Sequence, residues 1–372
     1  MRAELLGGST VVVLMGGRST EREVSLVSGR AVADALSVVP PDSERPGPER
    51  VIAVEIDRAG RWLVEGEHLE PAAALARLPA NAIFFLGLHG SPGEDGSMQG
   101  FLETAGRAYT GSGVLASALC INKHATRLVL AAAGVRVARG MQIDAKRWRE
   151  ERGAALAQLD ELVEGDRHGA GGWSVKPNCG GSSISTFLVS KRDELAVAID
   201  AVLATGDRAL VEAWVRGTEV TCGVLGNGDG EQRALPPVEI VPKDDRFFDY
   251  EQKYSAQGAD EFCPPRSLAP ELVERVQALA VRAHRAAGCD GYSRTDFIVP
   301  DPGDGLPARG AGGTDRDREP VALEINTLPG MTQRSLLPKA AAVEGLSLRE
   351  LCLEILGLAL ARKPGDGGAA AS

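Results

Sequence analysis

The sequence contains no C-x-x-C pair. Its six cysteines, Cys120, Cys179, Cys222, Cys263, Cys289 and Cys352, are scattered, which argues against a disulfide framework and structural zinc and leaves reduced thiols as the expectation. No apolar run reaches membrane-spanning length. The opening MRAELLGGSTVVVLMGG lacks a long apolar stretch ending in a small-residue cleavage site, so a soluble, cytoplasmic protein without a membrane partner is expected. Positive charge is not in excess: the net charge is −10, and no nucleic-acid partner is expected. The phosphate-loop order G-x-x-x-x-G-K-[ST] is missing, and no internal repeat is present. What remains is globular in character: 372 residues, 44% hydrophobic and 25% charged, material for about two or three domains.

The most informative stretch is VALEINTLPGM, residues 321–331. Val321, Leu323 and Ile325 alternate with Ala322, Glu324 and Asn326, and a strand has a side-chain period of two, so Glu324 and Asn326 are expected on one face. About thirty residues earlier, GYSRTDFIV places Asp296 in a second β-branched run. If the runs pair antiparallel, three oxygen ligands converge, from Asp296, Glu324 and Asn326. Carboxylate and amide oxygens without Cys or His suit a hard cation, most simply Mg²⁺ shared with a nucleotide's phosphates. The alternative is a hairpin with one polar, solvated face.

The N-terminal third reads as parallel α/β. Thr10–Met15 is a buried strand running into Gly16-Gly17; Thr20 and Glu23 fit a capping box opening a helix. This corner carries Glu21, suited either to a ligand's ammonium group or to favouring the helix dipole. Further strands are expected at VIAVEID and NAIFFLGL, with a short hairpin at RWLVEG and a helix at 71–77. His89 falls at the carboxyl end of its strand, where open α/β sheets place ligands. Residues 111–134 read as a turn and one long helical run. WSVK and FLVS flank a Gly/Ser tip, PNCGGSSIST, whose backbone N–H groups could fold over phosphates or simply close a hairpin. LVEAWV is a strand that GTEVTCGVLG pairs with or follows. Residues 236–265 read as a long irregular lid with interleaved aromatics and charges. Helices at 269–287 and 347–362 enclose the two acidic strands, with a polar excursion at 301–319 between them.

In order, RSTEREVS, HGSPGEDGSMQG, KPNCGGSSIS, FDYEQKY, GYSRTDF and EINTLPGMT resemble the D-alanine–D-alanine ligases, ATP-grasp enzymes of peptidoglycan precursor synthesis, over about residues 10–360. The resemblance implies a three-domain α/β and α+β ATP-grasp fold. An N-terminal parallel-sheet domain would cover 1–118, a central domain 119–212, and a C-terminal catalytic domain 213–372 with a lid at 243–263. ATP would lie between the latter two, with two Mg²⁺ ions (Mn²⁺ as an alternative) on Asp296, Glu324 and Asn326, in a homodimer.

The same resemblance implies the site roles. Lys123, Lys176 and the lid's Lys253 contact phosphates, while Glu212, Glu219 and Trp214 border the adenine and ribose. Glu21 holds the first D-alanine's ammonium, with His89 close by, and Ser182 and Tyr254 form a hydrogen-bonded set with Glu21. Arg294 and the Gly330 N–H stabilise the oxyanion. Ser335 and the Leu336 N–H hold the second substrate's carboxylate. D-lactate or D-serine as second substrate, or a catalytically silent nucleotide-binding scaffold, are the alternatives. The tip departs from related sequences at Cys179-Gly180, where Arg/Glu-type residues are common.

Overall fold

Three apolar runs near the N-terminus assemble side by side. In the computed structural model, which describes residues 6–38, 46–164, 169–180, 186–242, 259–301 and 318–362, β1 (Thr10–Gly16) lies between β2 (Arg50–Ile56) and β5 (Ile83–Leu86) and is parallel to both. β3 (Trp62–Val64) and β4 (Glu67–Leu69) extend the far edge as an antiparallel hairpin. Val11, Val12, Val13 and Leu14 are all fully buried, the continuous pattern of a strand covered on both faces. Helices α1 (Arg22–Ser37), α2 (Pro71–Arg77) and α3 (Ser97–Thr104) accompany this sheet. The expected capping box at Thr20 does not form: α1 begins after Glu21, which makes no side-chain cap. Ser19 Oγ instead accepts from the Glu21 N–H at 3.0 Å.

The long helical run expected over 111–134 is two helices, α4 (Val114–Ile121) and α5 (Lys123–Ala132). Asn122 breaks it, because its side chain accepts from the Ala125 N–H at 3.0 Å and caps α5. The central segment then forms β6 (Gly140–Ile143), α6 (Ala145–Glu150), α7 (Arg152–Glu164), β7 (Gly169–Pro177), β8 (Phe187–Val189), α8 (Arg192–Ala204) and β9 (Ala209–Val215). Its antiparallel sheet has the order β6-β9-β7-β8 and its own core around Ile143, Trp173, Ile199 and Val211. The expected boundary between residues 212 and 213 falls inside β9, and the chain changes sheets at Arg216–Gly217.

The third sheet contains β10 (Gly217–Leu225), β11 (Arg233–Ala234), β12 (Val238–Pro242), β13 (Ala259–Phe262), β14 (Tyr292–Pro300) and β15 (Val321–Asn326), ordered β13-β12-β10-β14-β15 with β11 beside β10. β10 thus follows β9 into a new sheet rather than pairing with it. The ends of the expected irregular lid are strands, β12 and β13, paired from Glu239↔Phe262 to Pro242↔Ala259; residues 243–258 lie outside the described residues, as does 302–317 of the expected excursion. Helix α9 (Pro270–Ala286) packs on this sheet together with α4 and α5, joining Ala116, Cys120 and Leu130 to Val276, Leu279 and Phe297. Two further helices, α10 (Leu336–Val343) and α11 (Leu348–Ala361), bury Leu337, Leu351 and Ile355 in the same core as Val32 and Leu36 of α1. The C-terminal chain is therefore welded to the N-terminal sheet. Among the described residues no helix is long and apolar enough to cross a membrane.

β14 and β15 do pair antiparallel, with one departure from simple alternation. Arg294 faces Asn326 and Asp296 faces Glu324, but Phe297 faces Ala322, so Leu323 is an extra residue in the ladder. This bulge shifts the phase: Ala322 joins Ile325 in the core, where strict alternation would set it beside Glu324. The oxygen-bearing face from 324 onward is unaffected.

Candidate active site

The face shared by Arg294, Asp296, Glu324 and Asn326 is where the charged side chains of the C-terminal sheet converge. Arg294 Nε and Nη2 each lie 2.9 Å from one oxygen of Asp296, a two-pronged pair. Thr221 Oγ1, from the facing position on β10, donates to Asp296 Oδ1. Glu324 Oε2 lies 3.1 Å from Lys123 Nζ, at the start of α5. Burial opposes charge on Lys123, but the Glu324 carboxylate outweighs it and holds the ammonium above its ordinary pKa. Asn326 Oδ1 accepts from the Leu328 N–H at 3.1 Å. Among the described residues no cluster of three His, Cys, Asp or Glu side chains forms a metal site; the donors that this face could offer a cation are the Asp296 and Glu324 carboxylates and the Asn326 amide. An all-oxygen donor set on one face of this strand pair fits Mg²⁺.

The lysines come from two directions. The start of α5 is docked on the loop after β7: the Lys123 N–H donates to Asn178 O at 2.9 Å, the His124 N–H to Asn178 Oδ1 at 2.9 Å, and Lys123 Nζ to Gly180 O. Lys176 Nζ lies 2.7 Å from Glu212 Oε2, and Arg127 Nε lies 2.7 Å from Glu212 Oε1. Glu212, only 2% exposed, is thus held between two buried cations. Trp214, two residues on, is partly exposed, with the Arg216 guanidinium 5.2 Å from its ring centre. Glu219 is partly exposed on β10, between Ile240 and Ile298. Ser182, Lys253 and Tyr254 lie outside the described residues.

The second cluster lies where the N-terminal sheet meets the turn after β15. Glu21 is buried at the start of α1. Gly90 adopts φ +66°, and a Cβ there would stand 2.3 Å from Ser19 Oγ and 3.0 Å from Glu21 Oε2, so only glycine lets the loop approach so closely. His89 Nε2 is 3.1 Å from Ser28 Oγ. Burial first, then the Arg294 charge, pushes His89 down to about 4, so it is neutral near pH 7 and acts by hydrogen bonding. Glu94, which sequence reasoning misses, is buried and accepts from the Gly90 N–H at 2.7 Å. Burial and the facing Glu21 carboxylate push it up to about 8. Its only sequence signal is an acid between two glycine turns. A cavity of about 520 Å³, lined by Gly17, Arg18, Trp62, Met98 and Phe101, opens on the N-terminal side of His89.

The turn itself carries Gly330. Ser335 Oγ is turned back into it, accepting from the Thr332 N–H at 3.1 Å and lying 2.8 Å from Thr332 Oγ1. Ser335 stands at the start of α10 without capping it. Leu336 therefore begins a helix whose first amides have no intrahelical acceptor, a setting that favours an anion.

Residues 10–82 match the family described as D-ala D-ala ligase N-terminus, and residues 129–357 match D-ala D-ala ligase C-terminus. The chain is similar to the D-alanine–D-alanine ligase of Desulforudis audaxviator, 40% identical over 94% of this chain and 98% of that one. Among solved structures it is similar to D-alanyl-alanine synthetase A of Vibrio cholerae, with a TM-score of 0.75 at 26% identity over 95% of this chain and 99% of the other. It also resembles the D-alanine–D-alanine ligase of Bacillus anthracis complexed with ATP, with a TM-score of 0.67 at 25% identity over 95% and 98% of the two chains. The fold is the ATP-grasp arrangement of these enzymes, and the chain belongs to the D-alanine–D-alanine ligase family.

Proposed function

We propose that this chain joins two D-alanine molecules at the expense of ATP, through an acyl phosphate, in peptidoglycan precursor synthesis. The observation that carries this reading is the common face of β14 and β15, where Asp296, Glu324 and Asn326 stand with Arg294 and Lys123. Asp296, Glu324 and Asn326 would hold two Mg²⁺ ions or, alternatively, Mn²⁺. When bound, the metal offsets negative charge on the phosphate oxygens.

The remaining roles are those that the family resemblance implies. Lys123 and Lys176 are the cations set to meet phosphates, with Lys253 approaching from the lid. Glu212, Glu219 and Trp214 border adenine and ribose. Glu21 is a buried carboxylate for the first D-alanine's ammonium, and neutral His89 contacts the same substrate. In the first step that substrate's carboxylate attacks the γ-phosphorus and ADP leaves. In the second, the amine of the other D-alanine attacks the activated carbonyl and phosphate leaves. Arg294 and the Gly330 N–H meet the oxyanion that develops there. Ser335 and the Leu336 N–H hold the second carboxylate, and Ser182 and Tyr254 link lid closure to Glu21. The chain works as a cytoplasmic homodimer of three-domain subunits.

Phosphate release measured with and without D-alanine, followed by product mass, tests the reading. Release that requires D-alanine and yields the dipeptide supports it; release indifferent to D-alanine overturns it. Competition between D-alanine and D-lactate or D-serine across pH identifies the second substrate.

A further inference from the structure

We propose that Asn178 is a positioning residue that sets the spacing of Lys123 and Lys176, by docking the start of α5 on the end of β7 through its side-chain amide. Asn178 stands two residues beyond Lys176, just past the end of β7, and is 1% exposed. A buried primary amide must find partners for its oxygen and its nitrogen. Asn178 Oδ1 accepts from the His124 N–H at 2.9 Å, and Asn178 Nδ2 donates to Asn122 Oδ1 at 3.0 Å. Asn122 Oδ1 also accepts from the Ala125 N–H at 3.0 Å. Backbone N–H groups only donate, so each amide oxygen is identified by its partner and the two amides interlock in one orientation. The backbone of Asn178 is engaged as well. Its carbonyl accepts from the Lys123 N–H at 2.9 Å, and its N–H donates to Arg208 O at 3.0 Å. The Cys179 N–H donates to Asp207 Oδ2 at 2.7 Å, so the same joint is held from the turn before β9.

One hydrogen bond, from the Lys123 N–H to Asn178 O, fixes a distance but leaves the helix free to turn about it. The two side-chain bonds remove that freedom, because they grip Asn122 and His124 on either side of Lys123. Lys123 Nζ then stands 3.1 Å from Glu324 on β15, while Lys176 Nζ is held 2.7 Å from Glu212 on β9. The two ammonium groups come from different elements, and Asn178 is where those elements meet. It touches none of the reacting atoms and acts through Lys123. That the two lysines meet a nucleotide's phosphates rests on the ligase reading above, whereas the docking itself does not.

Asn178→Ala removes both side-chain bonds. Asn178→Asp keeps the volume and the oxygen facing His124 but sets two oxygens against each other at Asn122. Both are compared with the wild type in the full chain. Amide hydrogen exchange at Lys123 and His124 is expected to quicken by about tenfold or more in the Ala variant, with 10–16 unchanged. Calorimetric titration with ADP and Mg²⁺ is expected to show binding weaker by about fivefold or more in the Ala variant, with KM for the first D-alanine held within about twofold. A role confined to folding stability does not single out the nucleotide. Wild-type exchange at Lys123 and His124 in the Ala variant overturns the proposal, as does unchanged ADP affinity or an equal weakening of ADP and D-alanine. If Asn178→Ala does not fold, Asn178→Asp decides alone: quickened exchange at Lys123 and His124 supports the docking, and wild-type exchange there overturns it. If wild-type protein binds no ADP, the ligase reading fails, and the exchange rates alone decide whether Asn178 docks α5.

Discussion

Glu212→Gln removes one negative charge from a place where two positive charges depend on it. Lys176 Nζ and Arg127 Nε each lie 2.7 Å from its oxygens, and their side chains are only 11% and 7% exposed. At an effective dielectric of about 20, unit charges about 4 Å apart attract by roughly 4 kcal/mol. Losing one partner of a buried ion pair costs about 3–5 kcal/mol, because the charge left behind stays desolvated. Arg127 keeps its contact to the Ala138 carbonyl, which softens the loss on that side. Glu212→Gln is therefore expected to destabilise the central sheet by about 3 kcal/mol or more. Urea unfolding followed by tryptophan fluorescence reads this, since Trp148 and Trp173 sit in that core. Adding Lys176→Met to Glu212→Gln removes one of the stranded charges and is expected to restore about 1 kcal/mol or more. A loss below about 1 kcal/mol in the single variant, or a double variant weaker than the single, would refute the view that Glu212 anchors this sheet.

Three further outcomes are expected. Arg294→Ala should lower kcat by about a hundredfold or more with only a small change in KM, since the charge it meets develops in the transition state; an effect confined to KM counts against that role. Gly90→Ala, with φ +66° and a Cβ pressed on Ser19 and Glu21, should raise KM for the first D-alanine by about tenfold and leave ADP affinity unchanged; equal weakening of both ligands contradicts the placement. Burial pushes His89 and His284 down to about 4, so both are neutral when folded and take up a proton near pH 6.5 when unfolded. The unfolded chain then binds more protons as pH falls, and stability present above about pH 6.5 is lost toward pH 4, by about 3 kcal/mol per histidine at the limit. Glu94, pushed up to about 8, contributes in the opposite sense over the same range, so the test is the difference between variants. Unfolding midpoints measured from pH 7.5 to 5 should fall less, or rise more, in His284→Asn than in the wild type, and parallel profiles contradict the burial argument.

How much of the molecule is legible in its sequence depends on whether the deciding interaction is local. The parallel N-terminal strands and the helix over 71–77 follow from apolar periodicity within a few residues; the same periodicity marks the runs that carry Asp296 and Glu324, while their antiparallel pairing is a condition that the structure meets. The bulge at Leu323 does not. VALEIN alternates without fault, and only the partner strand reveals the extra residue that moves Ala322 into the core. Asn122 does carry a local signal that apolar periodicity alone hides: an Asn inside an apolar helical run favours a cap, and here it divides α4 from α5. The strands β12 and β13 are hard to read because each is short and has its partner across residues 243–258. Glu94 is hidden for another reason. An acid among glycines reads as solvated, whereas here it is buried, accepts from the Gly90 N–H and faces the charge of Glu21 from a separate element. The charged pairs of the site are likewise invisible, since Lys123 with Glu324 and Lys176 with Glu212 join separate elements.

If the oxygen face of β14 and β15 binds the divalent cation that accompanies the nucleotide, the cation should report on Glu324 without any turnover. Mn²⁺ binding in the presence of ADP, followed by electron paramagnetic resonance, provides that report. Glu324→Gln should retain the wild-type circular dichroism spectrum and bind Mn²⁺ at least about tenfold more weakly. Unchanged Mn²⁺ affinity in that variant would contradict the placement of the metal, and with it the mechanism built on that face.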